Sequence, residues 1–205
     1  MAIIPASADE VVQEEILQAA LRLYQKLGPD KVTMDDVAKA TGRSRTSLYY
    51  YYKNRDEILH AVLDTLARDV AAEIRSAVNK ATTPNEKIYA FCIAKLKTSE
   101  DWKPVLTAMW TALDAGEKLK HNKVMDALHK KLVYQEALIL NEILAVTTTQ
   151  AGFRQLTAGE QDMLAFLVSS SIRGLRREIY DLNDPHDLKA AVQLLADMIV
   201  QWLKS

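Results

Sequence analysis

The 205-residue sequence contains one cysteine, Cys92. A lone thiol excludes an intrachain disulfide framework and any CxxC zinc site. Only six glycines and five prolines punctuate the chain, and no run alternates apolar with polar as a half-buried strand would, so the reading is all-helical. No apolar stretch approaches the roughly 20 residues of a membrane helix, and Met1 to Pro5 is too short and uncharged for a signal peptide. There is no Gly-rich phosphate loop, no HExxH and no nucleophile elbow, so the residues supply no catalytic site and no cofactor motif. Asp114, Glu117 and His121 share one helical face, with His129 eight residues on. Gly116 interrupts that helix, and no metal site is expected there. Cys92 has no resolving cysteine and reads as a buried, inert thiol. The absences together point to a soluble, cytoplasmic, non-enzymatic chain of one domain or two small ones. An apolar fraction of 49% is ample for a sizeable core.

Against that background, the stretch from Val32 to Leu59 reads as two short helices and the start of a third. Thr33 is an N-cap with Asp36 three residues on, ahead of Met34, Val37 and Ala38 at helical spacing. Thr41-Gly42 stops that helix, because glycine tolerates the left-handed conformation of a C-cap. Ser44 caps the next helix, whose Leu48 points inward, and Asn54 with Glu57 caps a third. Helix, short turn, helix is the helix-turn-helix shape, whose second helix, about residues 44–51, can enter a major groove.

Charge agrees. From Lys31 to Arg55 there are six bases and two acids, Asp35 and Asp36, a local +4 in a chain of net −1. Such a patch, flanked by hydroxyls, is an electrostatic footprint of nucleic-acid binding. Tyr49, Tyr50, Tyr51 and Tyr52 surround one aliphatic residue, Leu48, and four tyrosines cannot all face inward on so short a helix. The expected DNA-contact set is Thr33, Arg43, Ser44, Arg45, Thr46, Ser47, Tyr49, Tyr50, Tyr51, Lys53 and Arg55. The arginines and Lys53 would lie mostly on phosphates, with Thr46, Ser47 and Tyr49 nearer base edges.

Ile16, Ala19, Ala20, Leu23, Gly28, Thr33, Met34, Val37, Ala38, Gly42, Ser44, Leu48, Tyr49, Tyr51, Lys53 and Leu59 together resemble the DNA-binding domain of the tetracycline-repressor (TetR) family of bacterial regulators. The resemblance covers about the first sixty residues. Three departures stand out. Arg43 replaces a small aliphatic residue, Tyr52 replaces Phe, and Asp9, Glu10, Glu14 and Glu15 make the N-terminus acidic where many members are basic. The acids argue against a minor-groove arm, and Arg43 offers an added DNA contact. The resemblance implies a homodimer built from the last two helices as a four-helix bundle, a palindromic double-stranded operator, and release of repression by a small-molecule effector.

The remainder reads as more helices, about nine in all. The first helix spans Ala8 to Leu27. One long helix, Arg55 to about Lys80, would be roughly 40 Å long. Further helices are expected from Thr83-Pro84 to Lys97, from Asp101 to Ala115, from Asn122 to Val146, from Glu160 to Asp181 and from Asp184-Pro185 to Leu203. The last has the most regular pattern: Leu188, Val192, Leu195, Ile199 and Trp202 step as a heptad seam. With Phe166, Ser170 and Gly174 of the preceding helix, these residues form the expected dimer interface, widened by Leu194 and Met198. Phe91, Met109, Trp110, Leu113, Met125, Tyr134, Met163 and Phe166 are the candidate lining of a largely apolar effector pocket. Arg173, on an otherwise apolar helix, could meet an anionic ligand or serve as a surface charge. The domain reading is residues 1–55 for DNA binding and 56–205 for ligand binding and dimerisation. The competing reading, a helical protein–protein interaction module without DNA binding, would leave the +4 segment unexplained.

Overall fold

The computed structural model describes residues 7–111, 118–182 and 185–205, with side chains except at 105–106, 108–111 and 118–125. Among these residues there are eight α-helices and no strand: α1 Ala8–Leu27, α2 Met34–Ala40, α3 Arg45–Tyr51, α4 Arg55–Asn79, α5 Pro84–Thr111, α6 Lys118–Thr148, α7 Ala158–Arg176 and α8 Leu188–Lys204. They form two compact units. The first comprises residues 1–66 with 102–128, and the second 67–101 with 129–205. The expected domain boundary at residue 55 is where α4 begins. The first unit runs on to Leu66 because Ile58, Val62, Leu63 and Leu66 are buried.

The caps read at Thr33 and Ser44 are in place, and the first helix has a capping box that was not anticipated. The Ser7 hydroxyl caps α1 and Glu10 returns the bond to the Ser7 amide, satisfying two donors that a helix start leaves orphaned. Thr33 and Asp36 do the same for α2, and the Ser44 hydroxyl accepts from the Ser47 amide at the start of α3. Gly42 sits at φ 65°, with its amide donating to Lys39 and the Arg43 amide donating to Ala38. This is the six-to-one and five-to-two pattern of a Schellman stop, which needs a residue at ease with positive φ. α1 buries Ile16, Leu17, Ala19, Ala20 and Tyr24, while α2 buries Met34, Val37 and Ala38.

The second unit is a helical core of Ala71, Ile74, Val78, Ile88, Phe91, Leu96, Ile139, Leu140, Ile143, Leu144, Val168, Ile172, Val192, Ile199 and Leu203, among others. Two expectations need correcting here. The break near Asp101 is absent, because α5 continues to Thr111 with Pro104 inside it. The hydroxyls of Thr98 and Ser99 donate back to the carbonyls of Ala94 and Lys95 within the same helix, so they do not start a new one. α8 starts at Leu188 with Asp187 as its N-cap, accepting from the Lys189 and Ala190 amides. The anticipated cap, Asp184, lies outside the described residues. α7 begins at its Thr157–Glu160 capping box and ends by widening into a π-helical turn, Arg177–Asp181.

Candidate nucleic-acid interface

α3 is held by two buried side chains, Leu48 and Tyr52. A seven-residue helix anchored on one side must turn its other residues outward. Ser44, Arg45, Thr46, Tyr49 and Tyr50 are exposed, Tyr50 at 77%. Thr33 at the start of α2 and Lys53 after α3 are exposed as well, while Ser47 and Tyr51 are partly buried. Of the four tyrosines, Tyr49 and Tyr50 are exposed and Tyr52 packs inward. The Tyr50 and Tyr51 rings meet edge to face, their centroids 5.0 Å apart.

The basic side chains differ in how free they are. Arg45 is exposed, with loose contacts of 3.4 Å to Asp35 and to the Tyr49 hydroxyl, and it lies over the Tyr49 ring. Arg43 is committed elsewhere. Its Nη2 donates to Glu15 on α1 at 2.7 Å, and its Nε is buried without a partner among the described residues. Arg55 is also tied down, with Nη1 donating to the Asp30 carbonyl at 2.6 Å. The Tyr51 hydroxyl donates to Asp9 at 2.9 Å, which pushes its pKa above the usual phenol value. The acids of α1 thus have a structural use that their sequence position did not show: Asp9 and Glu15 take hold of two residues from the reading helix and its turn. The carboxyl of Asp36 is held below the usual range by the hydroxyl and amide of Thr33.

Of the residues anticipated for an effector pocket, the structure describes the side chains of Phe91, Tyr134, Met163 and Phe166. Phe91 is part of the core, whereas Tyr134, Met163 and Phe166 are exposed. Leu113 lies outside the described residues, as do the side chains of Met109, Trp110 and Met125. The same holds for Asp114, Gly116, Glu117 and the His121 side chain. No cluster of metal-ligating side chains occurs among the described residues. The anticipated dimer seam is divided. Val192 and Ile199 are 0% and 7% exposed and belong to the core of the second unit, with Leu188 and Leu195 packed against it. Phe166 and Trp202 are exposed, as are Met163, Leu167, Leu194 and Met198. A groove of about 540 Å³ runs between α7 and α8, lined by Met163, Leu167, Leu195, Met198 and Trp202 among others.

Sequence reading passed over a polar cluster inside the second unit. Lys95 on α5 donates to Glu136 on α6, and Ser169 on α7 donates to the same carboxylate oxygen at 3.2 Å. All three are buried. Burial pulls the Lys95 ammonium below its usual pKa, opposed by Glu136. A separation of 41 residues between Lys95 and Glu136 leaves no local pattern to find.

Comparison with known proteins follows the same lines. Residues 16–62 match the profile of the bacterial regulatory proteins, tetR family. An HTH-type transcriptional regulator of Mycobacterium tuberculosis is 29% identical over 126 residues, 60% of this chain and 62% of that one. The match thus spans less than two thirds of that relative's length. The HTH-type transcriptional regulator BetI of Brucella melitensis is 23% identical over 190 residues, 91% of this chain and 89% of the relative. Among solved structures, a TetR-family transcriptional regulator from Mesorhizobium loti superposes with a TM-score of 0.65 at 17% identity, over 97% of both chains. The TetR family repressor AlkX from Dietzia superposes at 0.55 and 19% identity, over 94% of this chain and 96% of that one. These likenesses show a shared fold. No described helix is long and apolar enough to cross a membrane. With an all-helical fold shared along nearly its whole length and relatives that are transcriptional regulators, the chain carries, over residues 16–62, the profile of the tetR family of bacterial regulatory proteins.

Proposed function

We propose that this protein binds a palindromic operator as a homodimer and represses transcription until a small, largely apolar effector releases it. The observation that carries the DNA-binding part is the exposed face of α3, where Arg45, Thr46, Tyr49 and Tyr50 project from a helix pinned by buried Leu48 and Tyr52. A phosphate-seeking guanidinium beside hydroxyls that reach base edges is what a recognition helix needs. One such helix reads one half-site, and two held about 34–36 Å apart read a palindrome. The apolar groove between α7 and α8, with Phe166, Leu167, Leu194 and Met198 exposed around it, supports self-association as the use of that surface.

The deciding experiment is a mobility shift on the DNA upstream of the protein's own gene, repeated with Arg45→Ala and Tyr49→Phe. The expected result is a specific complex of the intact protein whose affinity falls steeply with salt, weakened by both substitutions. An unshifted probe, or one whose affinity ignores salt, would favour the interaction-module reading. A reporter placed behind the same DNA separates repression from activation.

A further inference from the structure

The polar cluster of the second unit is unbalanced. Lys95 is paired with Glu136, while Arg173, close enough to Lys95 to repel its ammonium, brings a second positive charge and no carboxylate of its own among the described residues. Ser169 and Arg173 are one turn apart on α7, so they share a face. Arg173 places Nη2 on the Ser170 hydroxyl at 2.8 Å, but its Nη1 is buried with no hydrogen-bond partner among the described residues. Buried donors are rarely left unmade, because the lost hydration is not returned. A guanidinium does not escape by giving up its proton. Arg173 and Arg176 make a useful contrast: Arg176, one helical turn on, is matched by Glu100 at 3.1 Å and Asp181 at 3.1 Å. The carboxylates that α7 needs for charge balance are supplied at Arg176 and withheld at Arg173.

We infer that Lys95, Arg173 and Ser170 form the anion-binding end of the effector site, and that the effector carries a carboxylate on an apolar body. This rests on the reading of the second unit as the effector-binding one. The cluster has an excess of one positive charge, which a monoanionic carboxylate balances and a dianionic phosphate overshoots. A planar carboxylate also matches the guanidinium edge that Nη1 leaves open. The apolar body follows from the surroundings, since the same helices contribute Phe91, Cys92, Leu96 and Ile172 to the core. Lys95 and Ser169 are positioned by Glu136, which keeps the ammonium in place in the absence of ligand.

The test is thermal unfolding of the full-length chain with benzoate and octanoate, against sodium chloride at equal ionic strength, benzyl alcohol and phenyl phosphate. The expected result is an upward shift of a few degrees with at least one carboxylate, from preferential binding to the folded state, and none with the alcohol or the phosphate. Arg173→Met should abolish that shift, and Arg173→Lys, which keeps the charge without the fork, should retain a smaller one. Without ligand, Arg173→Met should melt at or above the temperature of the parent, since it removes a partly buried guanidinium whose Nη1 is buried without a hydrogen bond among the described residues. A lower melting point for ligand-free Arg173→Met would assign the arginine to structure and overturn the inference. So would equal shifts in parent and variant, or a larger shift with phenyl phosphate, or no shift with either carboxylate. The readout involves no DNA. A carboxylate that stabilises the chain yet leaves its operator complex intact would uphold the site and instead overturn effector release.

Discussion

Arg43 and Arg45 are two residues apart in a basic stretch, and charge counting treats them alike. Their surroundings separate them. Arg45 is exposed with loose contacts, whereas Arg43 is bound to Glu15 at 2.7 Å. Arg45→Ala should therefore reduce the salt slope of operator binding by about one, the loss of one phosphate contact. Arg43→Ala should leave the slope nearly unchanged and cost at most about 1 kcal/mol of stability, the range of a surface ion pair. Equal slopes for the two variants would place Arg43 on a phosphate as well. Caps are the other residue-scale feature, and those at Thr33, Ser44 and Thr83 were legible because capping acts over three or four residues, whereas Ser7, Thr157 and Asp187 were not picked out. Glu86 accepts from the Thr82 and Thr83 amides and the Thr82 hydroxyl, which lowers its pKa to about 2. Its unfolded-state pKa is near 4.3, so the folded state holds fewer protons. That stabilisation is complete above about pH 4.5 and is lost as pH falls toward 2. Glu86→Gln should flatten the pH dependence of urea unfolding across that window, and an unaltered profile would remove Glu86 as its source. Lys95, Glu136, Ser169 and Arg173 were out of reach of such reading, since they meet only through tertiary packing.

At the scale of elements, most helices were anticipated from their apolar spacing and α3 from its cap, but the continuity of α5 through Asp101, the starts of α6 and α8 and one face of α8 were not. α5 runs through the polar stretch Lys97–Asp101 because side-chain hydroxyls satisfied by their own helix resemble, in sequence, hydroxyls that begin a new one. α8 is apolar on more than one side, and periodicity alone cannot say which side meets which neighbour. Its most regular seam, through Val192 and Ile199, fills the core of its own chain, and the exposed stripe is Leu194 with Met198. Ile199→Glu is then a poor probe of association, because it buries a charge where an isoleucine had contributed about 1.5–3 kcal/mol. Leu167→Glu with Met198→Glu is a better one. Both positions are exposed, so the helical content should stay, while sedimentation should show a monomer whose operator affinity has fallen by orders of magnitude with the loss of avidity. A dimer that survives both substitutions would move the interface elsewhere.

At the scale of the whole molecule, α4 is the element that both compact units share. It supplies Ile58, Val62 and Leu63 to the first and Ala71, Ile74 and Val78 to the second. Its 25 residues contain no glycine or proline, so nothing in it offers a ready bend. In the proposed switch this helix transmits effector binding, and a ligand weakens DNA binding only through a difference in its affinity for two states. A 100-fold preference would weaken DNA binding by about 2.7 kcal/mol, and the coupling is reciprocal. Inserting Gly-Gly beside Thr65 should leave effector binding measurable by calorimetry but blunt operator release. Unaltered release would rule out α4 as the transmitting element. The continuity of this helix was evident from its apolar stripe, but its division between two cores was not, since both halves follow one period.

The carboxylates of α1 bear on how the protein finds its site. Asp9 and Glu15 are engaged with Tyr51 and Arg43, and Glu10 and Glu14 line the neighbouring surface with Arg22. The basic reading helix is therefore bordered by negative charge. If α3 reads DNA as proposed, a duplex sliding past would meet attraction where Arg45 faces it and repulsion when it strays toward α1, so the border would act against adhesion in the wrong pose. Such a border sacrifices total affinity for discrimination between productive and idle encounters, and it should shorten the time spent on random DNA more than the time spent on the operator.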